Sequence, residues 1–150
     1  GRSAGVVIDA VSALVATIRN VPASAGAQTV EQALTRAGSP VPEGSVLQEA
    51  LSSLRISDPA RCLALFRWAR NAKGVRLQRG HFHEAMGAAN ALPAGEPNLL
   101  PALDAWHAMR SSGVRPSTFT LNLLLSAAVS KQKGADTQAA LRGAVEVVDE

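Results

Sequence analysis

Tyrosine is absent from the 150 residues, and three phenylalanines and two tryptophans bring the aromatics to only 3%. A core built on large aromatic plates is therefore excluded, and the frequent alanines point instead to helices packed closely together. Cys62 is the single cysteine, so no intrachain disulfide framework exists, and a reducing compartment is the expected setting. No run of 18 apolar residues occurs, which rules out a membrane-spanning helix and any membrane partner that would need one. The chain opens at Gly1 without an initiator Met and without the ordered charged, apolar and small residues of a signal peptide. A processed form or a fragment is the expectation.

What is present is enough to fold. Hydrophobic residues make up 47% and charged residues 18%, with a mean hydropathy of +0.08, so a real core is available and extensive disorder is not expected. The length is that of about one domain, which excludes an enzyme with separate cofactor and substrate lobes. The net charge is +3 and the isoelectric point about 9.8, which permits an anionic partner without requiring one. The basicity is local: Arg55, Arg61, Arg67, Arg70, Lys73, Arg76 and Arg79 face only Asp58 in their stretch, whereas residues 80–109 hold no Lys or Arg. A solvated helix face is the plain explanation of such a run.

Glycine and proline cut the chain into helix-sized pieces at Pro22, Gly38 to Pro42, Pro59, Gly74, Pro93 to Pro97, Gly113, Pro116 and Gly134. Leu99, Ala102, Leu103, Trp106 and Met109 form one helical stripe that ends at Gly113. Asp58-Pro59 reads as a cap followed by proline at the first helical position, opening a helix with the stripe Cys62, Leu63, Phe66 and Ala69. The same reasoning predicts helices near 5–19, 29–37, 43–54, 81–91 and 119–131, and no strand. The expected class is all-α.

The sequence also repeats. Leu47, Ala50, Leu51 and Leu54 map by a shift of 35 onto Phe82, Ala85, Met86 and Ala89, and these by a shift of 39 onto Leu121, Leu124, Leu125 and Ala128. Cys62, Leu63, Phe66 and Ala69 map by a shift of 40 onto Ala102, Leu103, Trp106 and Met109, and Gly74-Val75-Arg76 by 39 onto Gly113-Val114-Arg115. A helical hairpin that recurs cannot bury its apolar face alone, so the expectation is a right-handed α-solenoid, with an ordinary bundle as the competing arrangement.

Trp106-His107-Ala108-Met109-Arg110-Ser111-Ser112-Gly113-Val114-Arg115-Pro116-Ser117-Thr118-Phe119-Thr120-Leu121-Asn122 resembles the join between units of the pentatricopeptide repeat family, and Ala60 to Ala69 resembles a second-helix phrase of its plant members. The tetratricopeptide signature is absent. The resemblance covers residues 43–150, with units 44–78, 79–117 and 118 to beyond Glu150. Residues 1–42 would be an N-terminal helical cap or a degenerate repeat. Excess length in the middle unit falls at residues 92–98, and the third unit would take its second helix around Ala144, Val145 and Val148.

The resemblance implies single-stranded RNA as partner, one base per unit, in organellar RNA processing, splicing, stability, editing or translation, in a mitochondrion or chloroplast. In the family, the fifth and last residues of each unit discriminate bases. Here these are Gln48 with Gln78, His83 with Ser117, and Asn122 with a partner beyond Glu150. Asn122 matches the family's usual choice and implies a pyrimidine, whereas Gln48 and His83 depart from it. Phe119 would pack on a base face, and Arg and Lys would hold phosphates. The same implied fold also serves structural or adaptor proteins, such as an organellar ribosome component, and the degenerate units favour that alternative.

No catalytic role is expected. His81 and His83 lie about 200° apart around a helix, too far to share a metal ion. Cys62 reads as a small buried hydrophobe, and His107 as solvent-facing. No phosphate loop, His-Glu-x-x-His string or Gly-x-Ser-x-Gly elbow occurs, so neither cofactor nor metal is expected. Trp106, Phe66 and Met109 read as interhelix core, while Trp68, off that stripe, is left open between a neighbouring helix, a partner and solvent.

Overall fold

The computed structural model describes residues 4–38, 41–93 and 99–131. They form seven helices: α1 Ala4–Arg19, α2 Ala27–Arg36, α3 Gly44–Ser57, α4 Pro59–Asn71, α5 Arg79–Asn90, α6 Leu99–Ser111 and α7 Thr118–Lys131. No strand occurs among the described residues. The protein is all-α, as the apolar periodicity requires. The third unit's expected second helix, around Ala144, lies outside the described residues.

Helix boundaries follow local chemistry. Asp58 ends α3 with its N–H on the Leu54 carbonyl and caps α4 by accepting the Arg61 N–H, and Pro59 supplies the preset φ of the first helical residue. α3 runs to Ser57, three residues past the end of its apolar stripe at Leu54, because nothing breaks the helix before the Asp58-Pro59 pair. Gly74 and Gly113 adopt φ of +83° and +76° just beyond α4 and α6, in the left-handed region where a Cβ is strained. After α6 the Val114 N–H returns to the Met109 carbonyl, closing the last turn.

Packing follows chain order. α3 packs on α1 and α5, and α5 on α7; α2 packs on α4, and each second helix lies against the first helix of its own hairpin. One continuous core results, with Leu47, Leu51, Leu54, Phe66, Phe82, Met86, Trp106 and Met109 all buried. Phe66 meets Phe82 edge to face with centroids 5.7 Å apart. Buried Ala50, Ala64, Ala85, Ala88, Ala102 and Ala105 keep the helices close, which replaces the missing aromatics.

The N-terminal hairpin belongs to this core. Leu14, Ile18, Val30 and Leu34 are buried in it, and Arg61 and Arg67 of α4 donate to the Val21, Ala23 and Ala25 carbonyls in the α1–α2 turn. Trp68 is buried, and its indole N–H donates to Glu31 of α2. Of the possibilities left open for Trp68, the neighbouring helix is the one realised.

Candidate functional site

The starts of α3, α5 and α7 fall at residues 44, 79 and 118, so Gln48, His83 and Asn122 are each the fifth residue of their helix. Gln78 and Ser117 sit immediately before α5 and α7. The spacing of 35 and 39 residues read from the sequence is therefore the spacing of the helix starts. Because α3, α5 and α7 pack successively, these side chains occupy the same helix position on adjoining helices.

Gln48 is half-buried, and its amide nitrogen donates to Glu84 Oε2 at 2.8 Å and weakly to the Gly80 carbonyl at 3.5 Å. Arg55, two turns further along α3, donates from Nε to Glu84 Oε1 at 2.6 Å. Glu84 thus holds two side chains of the preceding hairpin. Glycines make room for both: a Cβ on Gly80 would lie 2.6 Å from Gln48 Oε1, and one on Gly87 2.7 Å from Arg55 Cδ. Gly80, Glu84 and Gly87 recur at i, i+4 and i+7, so they share the face of α5 turned to α3.

His83 Nε2 lies 2.6 Å from Thr120 Oγ1 of α7, and its ring meets Phe119 edge to face at 5.0 Å. Thr120 Oγ1 accepts the Ser117 N–H at 2.9 Å, and the Thr120 N–H returns to Ser117 Oγ at 3.3 Å, a reciprocal cap at the start of α7. At the corresponding place on α5, His81 Nδ1 accepts the Gln78 N–H at 2.8 Å. His81 Nε2 lies 2.9 Å from the Gly44 carbonyl, which only accepts, so the proton sits on Nε2 and the ring ties α5 to the start of α3.

Asn122 differs from the other fifth residues. It is exposed, and no hydrogen bond from the described residues holds its amide. Phe119, three residues earlier on α7, is 58% exposed. Of the sequence-derived candidates, the structure joins His83, Ser117 and Phe119 around Thr120, ties Gln48 to Glu84, and leaves Gln78 and Asn122 with exposed side chains. Thr120 and Glu84 escaped sequence reasoning. The one signal for Glu84 was its position between Gly80 and Gly87.

The local excess of basic residues is reduced by contacts the linear sequence hides. Arg55 pairs with Glu84, Arg70 with Asp104, and Arg61 with both Asp58 and a backbone carbonyl. Burial, opposed by the Asp104 charge, lowers the Arg67 guanidinium from its ordinary value. Asp58 is the one acid within the stretch itself, and Glu84 of α5 and Asp104 of α6 add to it from later helices. Lys73 and Arg76 are exposed and take part in no ion pair or hydrogen bond among the described residues.

Burial, reinforced by the Arg79 cation, pulls His83 below the ordinary imidazole value, with Glu84 opposing. The unfolded chain therefore takes up this proton before the folded one does. Stability from His83 is complete above the unfolded value of about 6.5 and is lost as pH falls toward the folded value. Urea midpoints recorded between about pH 7.5 and pH 5.5 should fall on acidification, and His83→Gln should flatten that fall. An identical pH profile in the variant would show that His83 stays equally titratable in both states.

Cys62 is buried, with its thiol on the Leu51 carbonyl at 3.3 Å, and burial pushes its pKa well above the ordinary range. That is the environment of an inert core thiol. Among the described residues no group of three His, Cys, Asp or Glu is placed to hold a metal ion, and no helix is long and apolar enough to cross a membrane. No protein-family model, no curated protein and no solved structure matches this chain.

Proposed function

We propose that the chain is a non-catalytic α-solenoid module of the pentatricopeptide type that binds single-stranded RNA along α3, α5 and α7, in organellar RNA metabolism in a mitochondrion or chloroplast. The observation that carries this reading is the fifth-residue register of Gln48, His83 and Asn122 on helices that start 35 and 39 residues apart. Asn122 offers an unengaged amide to a base edge, while Gln48 and His83, whose Nε2 atoms are taken by Glu84 and Thr120, have Oε1 and Nδ1 left for one. The exposed Phe119 supplies an apolar face beside Asn122 for stacking.

Asn122→Ala tests the reading at its most accessible position. Folding should be unchanged, because the side chain is exposed and unpaired, while affinity for the preferred RNA should fall by about 1–3 kcal/mol, as for loss of one base contact. Filter binding or fluorescence anisotropy on a panel of single-stranded RNAs measures this. Equal affinity of variant and wild type for every RNA would remove Asn122 from base reading.

A second reading is favoured by one observation. Gln48 and His83 are both held by the next helix, through Glu84 and Thr120, so their polar atoms serve hairpin-to-hairpin cohesion. A module built that way suits an adaptor packed on protein, as in a ribonucleoprotein or an organellar ribosome. Stable association with protein but weak, non-selective RNA binding would select it.

A further inference from the structure

A cleft of about 520 Å³ opens between the α4–α5 turn and the α6–α7 turn, lined by Arg70, Arg76, Gln78, Arg79, Ser112 and Gly113 among others. Three of these residues are cationic and none is acidic. Asp104 engages Arg70 from outside the cleft, and Arg79 uses only its Nε, on the Arg115 carbonyl at 2.9 Å. The Arg79 terminal nitrogens and the whole Arg76 guanidinium are left without an acceptor among the described residues.

The cleft adjoins the proposed base row. Arg79 and His83 are four residues apart on α5, just over one helical turn with about 6 Å of rise, which places them on the same face. A nucleotide separates its base edge from its phosphate by a sugar, so a strand whose base meets His83 carries its backbone toward Arg79 and the cleft mouth.

We propose that this cleft holds a phosphodiester of the bound single strand, with Arg76 and Arg79 as its contacts and Gln78 at the junction with the base row. The site rests on the single-stranded RNA reading above, but adds to it a defined phosphate position at the turn edge. Guanidinium forks suit the paired oxygens of a phosphodiester, and such a contact is read as salt dependence with no base preference.

The test is the salt dependence of binding to a random single-stranded RNA pool for wild type, Arg76→Gln, Arg76→Gln with Arg79→Gln, and Arg36→Gln as an exposed control on α2. The slope of log K against log salt should shrink by about 0.7 in the single variant and about 1.4 in the double, with no change in sequence preference. Arg36→Gln should leave it unchanged. Arg76 has no partner to lose, so the single variant keeps the test valid even if the double one is destabilised. An unaltered slope in both cleft variants overturns the phosphate site while the RNA reading stands. An equal drop in Arg36→Gln also overturns it, since the effect would be general charge. Failure of wild type to prefer single-stranded RNA overturns both.

Discussion

Trp106→Ala should lower the unfolding free energy by about 3–5 kcal/mol, the largest loss expected of any single truncation in this chain. Trp106 is 1% exposed on α6, whose buried face also carries Leu99, Ala102, Ala105 and Met109 against α5 and α7. Ala102, Ala105 and Ala108, also buried on α6, are too short to reach into the void by a rotamer change. Trp106→Phe should recover part of the loss. Urea or thermal denaturation followed by circular dichroism measures it, and an unchanged midpoint would show that α6 does not contribute to the cooperative core.

Glu84→Ala should cost about 1–3 kcal/mol, through two orphaned donors instead of a cavity. Its carboxylate accepts from Arg55 and from Gln48, and the Glu84 side chain is only 15% exposed against 36% for Arg55. Water reaches the Arg55 side well enough to keep the loss below that of a fully buried pair. The diagnostic is a cycle with Arg55→Met: the double variant should be less destabilised than the sum of the two single ones. Strict additivity would mean that the α3–α5 clamp contributes nothing beyond its separate residues.

The seven helices of the described residues were legible from apolar periodicity and from punctuation, because Pro59, Gly74 and Gly113 act within a few residues of themselves. The pairing of Cys62, Leu63, Phe66 and Ala69 with Ala102, Leu103, Trp106 and Met109 carries over into the fold, where Phe66 and Trp106 are buried on successive second helices. Polar partnerships were not legible. Glu84 closes on residues 29 and 36 positions earlier, and Glu31 meets Trp68 across 37 positions. Such pairs depend on which helix faces align, and no local pattern in a single sequence encodes that. For the same reason Gln48 and His83 read only as off-pattern residues at base-reading positions, whereas Glu84 and Thr120 hold them.

The most direct measurement of the central claim is a salt titration of wild-type binding to pools of single-stranded RNA, single-stranded DNA and duplex RNA. A base-reading face on α3, α5 and α7 predicts a preference for single-stranded RNA that persists at physiological salt. Weak binding to all three pools, lost together as salt rises, would contradict it: the surface would be basic without recognition, and the protein an adaptor.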